Sequence, residues 1–147
     1  MSLSFVTQYP IRCPKPFQRL PELAYTSESI MVPAPIKPTV PLSLLEKIDV
    51  RVGTILSVEA VPGSEKLVRL TVDFGDHKRR ILAGVKKERE APGELEGRQA
   101  LFVVNLPPRK MMGEISEGML FDIGYADGLV PALAVPERPV PNGARAG

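Results

Sequence analysis

The stretch Pro107-Pro-Arg-Lys-Met-Met-Gly-Glu-Ile-Ser-Glu-Gly-Met119 gathers the side chains best suited to chemistry in this chain. Arg109 and Lys110 can pair with phosphate or carboxylate oxygens. Met111, Met112 and Met119 offer adaptable apolar contact. Glu114 and Glu117 are three residues apart, but a general acid–base pair needs a pocket that drives their pKa values apart, and a loop supplies none. Catalytic arrangements are missing elsewhere too. There is no Gly-x-Ser-x-Gly elbow, and Gly63-Ser64-Glu65-Lys66 lacks the Gly-Lys-Ser/Thr ending of a phosphate-cradling loop. One cysteine, Cys13, and one histidine, His77, exclude an internal disulfide and a tetrahedral Cys/His zinc site. The expectation is a binding module rather than an enzyme, with no cofactor and no metal.

The segments around that stretch are strand-like. Apolar Leu101-Phe-Val-Val104 precedes it and Leu120-Phe121-Asp122-Ile123 follows it, so it reads as a loop presented between strands, its two adjacent prolines lacking amide hydrogens for a ladder. Ile48, Val50, Val52, Thr54, Leu56 and Val58 alternate with Asp49, Arg51, Gly53, Ile55, Ser57 and Glu59, which predicts a long half-buried strand with the first set inward and Gly53 at a bulge or bend. Pro62 to Lys66 is a turn, and Val68, Leu70, Val72 and Phe74 mark the inner face of a second strand. Gly75-Asp76 suits a two-residue hairpin turn into a third strand, His77 to Leu82. Val85 to Leu95 is a charged connector with a helical turn or two, and Arg98 to Leu106 is a central strand. Met119, Phe121, Ile123 and Tyr125 predict a fifth. Asp127-Gly128 is a turn before a short strand, Leu129 to Val135, and Pro136 to Gly147 is a Pro/Gly-rich ending.

Five or six strands joined by hairpin turns predict an all-β, five-stranded Greek-key barrel of the oligonucleotide/oligosaccharide-binding (OB-fold) class; a small SH3-like barrel is the alternative on pattern alone, and the short helical connector after the third strand favours the former. Such barrels bind through the face of strands 2 and 3 and the loops joining strands 1–2 and 4–5. Lys66, Arg69, Lys78, Arg79, Arg80, Arg109 and Lys110 could converge there. Within residues 42–147 the only aromatic rings besides His77, those of Phe74, Phe102, Phe121 and Tyr125, all read as core, leaving that domain nearly without rings on which single-stranded bases would stack and favouring a folded RNA read by shape.

Residues 1–41 hold 8 of the 16 prolines, a spacing that no helix or ladder strand survives. They read as a disordered Pro-rich arm before a domain at 42–147, with Met31 as an alternative start. Leu42 to Lys47 reads as a helical turn leading into the domain. The net charge of +2 lies entirely in the arm, so any nucleic-acid site must be a local patch. No apolar run approaches the roughly 18 residues of a membrane helix, and no signal peptide is evident, so the expected location is the cytoplasm, without a membrane partner.

Ile48-Asp-Val-Arg-Val-Gly-Thr-Ile55, Gly63-Ser-Glu-Lys-Leu67, Asn105-Leu-Pro-Pro-Arg-Lys-Met111 and Ser116-Glu-Gly-Met119 resemble the tRNA-binding domain found appended to methionyl-tRNA synthetases and in free-standing dimeric tRNA-binding proteins. The resemblance covers roughly residues 43–147. It implies a homodimer that grips the outer corner of folded tRNA, with an aminoacyl-tRNA synthetase as a partner in trans. It also implies contacts from Lys66, Arg79, Asn105, Lys110, Ser116, Glu117 and Met119, to which the patch adds Arg109. Lys66, Arg79 and Lys110 would pair phosphates, Ser116 would bond sugar or phosphate, Met119 would lie against a base, and Glu117 would brace the loop. Ala83-Gly84 departs from the family's usual Ser-Gly. The ending, Pro136 to Gly143, resembles the CsaA-type branch of peptide-binding, export-related chaperones, the alternative function.

Overall fold

The computed structural model describes residues 32–147. The expectations for an arm and for Met31 therefore lie, up to residue 31, outside the described residues. A compact unit runs from Ala34 to Gly147. Its first residues, up to Pro41, are exposed and without regular structure, and Pro41, with φ −67° and ψ 146°, caps the one-turn helix α1, Leu42–Leu45, the lead-in expected there. Among the described residues no helix is long and apolar enough to cross a membrane.

The body is one curled sheet, an OB-like barrel. Strands β1 (Val50–Ala60), β2 (Val68–Asp73), β3 (Lys78–Ala83) and β4 (Gln99–Val103) are joined by two short hairpins, β5 (Arg109–Met111) with β6 (Glu114–Ser116) and, after β7 (Met119–Leu120), β8 (Asp122–Ile123) with β9 (Ala132–Leu133); β10 (Arg145–Ala146) ends the chain. The sheet order is β3-β2-β1-β4-β7, antiparallel throughout, with β10 on β1. The Glu117 N–H donates to the Arg80 carbonyl at 2.8 Å and joins the sheet's two ends. The connector after β3 carries a single 3-10 turn, Pro92–Leu95, whose Leu95 is buried in the core.

The β2–β3 hairpin follows the alternation. Val68, Leu70, Val72 and Phe74 are buried, and the Phe74 N–H bonds the His77 carbonyl across a turn in which Gly75 takes φ +96°. Up to the bulge at Ile55–Ser57, β1 is phased oppositely to the expectation, with Gly53 and Ile55 facing the barrel interior; Leu56, within the bulge, is exposed, and beyond it Val58 packs against the core, as expected. Gly53 is instead a site of close approach: a Cβ there would stand 2.5 Å from Val72 Cγ1 and 2.9 Å from Phe74 Cε1. Val52, on the opposite side, is buried under the C-terminal segment, to which its N–H and C=O both bond. That segment, read as a mere Pro/Gly ending, is a structural strap. Asn142 Oδ1 accepts from Thr54 Oγ1 and Gln99 Nε2, and its amide donates to Asp73.

The fifth strand is also corrected. It breaks into β7, β8 and a 3-10 turn at Tyr125–Asp127, and the last strand shrinks to Ala132–Leu133. Phe121 and Tyr125, expected in the core, are 45% and 68% exposed, and Leu120 is the residue that faces inward. Alternation distinguishes two faces but does not say which one meets the core.

Candidate nucleic-acid interface

The expected loop at 107–116 is largely a β-hairpin. Pro107 and Pro108 stand just outside it, and Arg109, Lys110 and Met111 pair with Ser116, Ile115 and Glu114. Met112 (φ 51°) and Gly113 (φ 81°) form the two-residue tip, both positive as the tight primed turn requires. Met112 is the single non-glycine residue with positive φ among the described residues, a conformation that costs a side-chain-bearing residue about 1–2 kcal/mol.

Two anchors hold this hairpin against the barrel. Arg69 on β2 donates to Glu114 at 2.9 Å and also to Glu59 on β1, so the hairpin, β1 and β2 share one guanidinium. The Glu59 carboxyl is held below its ordinary range chiefly by that hydrogen bond. Ser116, 3% exposed, is the second anchor: its hydroxyl accepts from the Leu82 N–H at 3.0 Å and donates to the Gly118 carbonyl at 2.9 Å. Gly118 is pressed against β3 and β4, where a Cβ would lie 3.0 Å from the Val103 oxygen and 3.1 Å from Ile81 Cδ1.

The sequence-derived residues separate into two groups. In the first, the polar atoms are committed within the fold. Arg79 donates through Nη1 to the carbonyls of Val104 and Glu117 and through Nε to His77 Nε2 at 3.1 Å. That last bond requires the neutral imidazole with its proton on Nδ1, facing Asp76. Asn105 accepts from the Asp49 N–H at 2.8 Å and donates to the Lys47 carbonyl at 2.6 Å, pinning the entry to β1. Glu117 braces β3, its carboxylate accepting from the Arg80 N–H at 2.9 Å. Ser116 belongs here too.

Lys66, Arg109, Lys110 and Met119 form the second group. All four are exposed, and among the described residues no carboxylate lies within ion-pair distance of the three cations. Lys66 sits on the β1–β2 turn, where the Ser64 hydroxyl accepts from the N–H groups of Lys66 and Leu67. This turn meets the hairpin tip: a Cβ on Gly63 would be 3.7 Å from Met112 Cε. Of the remaining patch cations, Arg69 is consumed by carboxylates, whereas Lys78 and Arg80 are exposed on β3. Sequence reading missed Ile115, exposed on the hairpin's outer side directly across from Lys110. It also missed that Phe121, Ile123, Tyr125, Val130 and Val135 are exposed, three of them on the alternation taken for a core-facing strand.

A family described as "Putative tRNA binding domain" matches residues 50–145. The methionine–tRNA ligase of Porphyromonas gingivalis is 43% identical over 106 residues, 69% of this chain. The chain spans only 15% of that relative's length. The crystal structure of a MetRS-related protein from Pyrococcus horikoshii superposes with a TM-score of 0.70 at 35% identity, covering 76% of this chain and all of the other. CsaA chaperones are also similar: that of Bacillus anthracis gives a TM-score of 0.65 at 28% identity, over 75% of this chain and all of its own, and that of Picrophilus torridus 0.64 at 26%, over 74% and all of its own.

Proposed function

The chain belongs to the tRNA-binding-domain family, and on that footing we propose that it is a non-catalytic, cytoplasmic protein that recognises folded tRNA by shape at its outer corner. The observation that carries this reading is the meeting of two braced elements, the β1–β2 turn and the β5–β6 hairpin, which together display Lys66, Arg109 and Lys110 without carboxylate partners among the described residues. Unpaired cations on a rigid frame suit phosphates at fixed positions, and pre-ordering lowers the cost of binding. Arg79, Asn105, Ser116 and Glu117 act as the frame, and Met119 as an apolar contact. A division into a Pro-rich spacer over 1–41 and a binding domain over 42–147 is part of the same proposal, as is a synthetase partner acting in trans.

The exposed apolar side chains of Phe121, Ile123, Tyr125, Val130 and Val135, all within fifteen residues of one another in the chain, support a homodimer. Replacing Tyr125 and Val130 by serine should shift sedimentation from dimer to monomer; a native chain that sediments as a monomer would dispose of the dimer.

Binding to folded tRNA and to unstructured RNA of equal length, over about 50–200 mM salt, tests the main reading. Folded tRNA should bind more tightly, with a log–log salt slope of about −0.7 to −0.9 per phosphate contact. Lys66→Ala or Lys110→Ala should each flatten the slope by about one unit. Equal, feeble binding to both RNAs would refute it. The likeness to CsaA chaperones and the exposed Met112 and Met119 favour peptide binding as the second reading, and that outcome would move it forward.

A further inference from the structure

The hairpin's outward side carries more than charge. Lys110 and Ile115 stand opposite each other there, while Glu114 and Ser116 on the other side are tied to the barrel. Ile115 is 53% exposed and Met112, at the tip, 57%. Neither is needed by the turn. A primed two-residue turn is best served by Asn-Gly, and here a methionine is held at positive φ instead. Its thioether reaches toward Gly63 in the turn that carries Lys66. Two bare apolar side chains thus lie beside Lys110, which shares their side of the hairpin, and next to the turn that carries Lys66, neither lysine having a carboxylate partner among the described residues.

We propose that Met112 and Ile115 form an apolar platform that receives the face of an accessible, unstacked base of the bound RNA, while the surrounding cations hold its phosphates. This rests on the RNA-binding reading above and adds a specificity element to it. An apolar protein partner would bury Lys66 and Lys110 without counter-charges, which is costly. A nucleic acid supplies both halves, phosphates for the cations and flat apolar base faces for the platform. The platform therefore favours RNA with an accessible base over a polyanion of equal charge lacking one.

The test uses the full chain and three probes: folded tRNA, a fully paired RNA duplex, and inorganic polyphosphate. Met112→Asn relieves the turn, and Ile115→Thr keeps a β-branched strand residue, so both variants should fold, the first with an unchanged or raised Tm. Each should weaken tRNA binding about fivefold, equivalent to about 1 kcal/mol of lost contact. Salt slope and affinity for duplex and polyphosphate should stay unchanged. If native protein prefers tRNA and both variants bind it equally well, the platform is wrong and the cationic reading survives. Equal loss toward all three probes would also overturn the platform, because charge presentation would then have changed. A native chain that does not distinguish tRNA from polyphosphate would overturn both.

Discussion

Replacing Ser116 with alanine separates two roles for one hydroxyl. As an RNA ligand, Ser116 should matter to binding and not to folding. In the structure it is buried and spans Leu82 and Gly118, so its loss strands the Leu82 N–H where water has little access, Leu82 being buried as well. An unsatisfied buried donor costs about 1–3 kcal/mol. Alanine is nearly isosteric, so no large cavity term adds to this. With unfolding entropy of about 2.1 cal/mol/K per residue, roughly a hundred folded residues give about 0.2 kcal/mol/K, and a 2 kcal/mol loss lowers Tm by about 10 °C. Calorimetry or thermal circular dichroism reads that directly. RNA affinity measured at 15 °C, below the transition, should fall less than about threefold, with an unaltered salt slope. An unchanged Tm combined with a tenfold loss of tRNA affinity would refute the bracing role.

Other consequences can be checked alongside. Glu114→Gln removes one of Arg69's two carboxylates, so hydrogen exchange of the hairpin amides from Arg109 to Ser116 should quicken while the amides of β2 stay protected. Gly53→Ala drives a methyl into Val72 and Phe74 and should cost about 2–3 kcal/mol, read as a lowered urea midpoint; full stability would show that the core can yield there. Glu88 has a buried carboxylate oxygen without a partner among the described residues, and burial first, then the nearby Asp122, raises its pKa. The folded state therefore holds the proton more tightly than the unfolded one, and stability falls as pH rises through the ordinary carboxylate range. Glu88→Gln should then raise Tm at pH 7 and have no effect below about pH 4, the unfolded carboxylate range; the opposite pH trend would contradict this.

Local signals were legible where one physical cause dominates. The β2–β3 hairpin combines a one-sided apolar alternation with a glycine at its turn, and both held. β1 misled because Val52 and Ile55 are both buried, on opposite sides, and a period of two cannot choose between buried faces. The bulge at Ile55–Ser57 then shifts the phase within the strand, and its cause is the pairing with β2, which no local pattern encodes. The 109–116 hairpin was hidden by brevity: three residues a side are too few for a period, and Met112-Gly113 is not the usual turn pair. Asn142 could not be read at all, since its partners Thr54, Asp73 and Gln99 lie 43 or more residues away.

The site residues show the same divide between chemistry and position. The family resemblance marked Arg79, Asn105 and Ser116 as ligands, and their chemistry fits that use, because groups that bond phosphate also bond backbone carbonyls and amides. Geometry decides between the two uses. A guanidinium bonded to two carbonyls and an imidazole has little capacity left for phosphate, whereas Lys66 and Lys110 keep theirs. Charge-assisted bonds inside the fold fix where the free cations stand, and a shape-reading interface depends on that spacing as much as on the charges. Loss of a brace should therefore lower stability and loosen the hairpin, whereas loss of a free cation should flatten the salt dependence and leave the fold intact. The two signatures are independent, so a residue's role follows from which of them its removal produces.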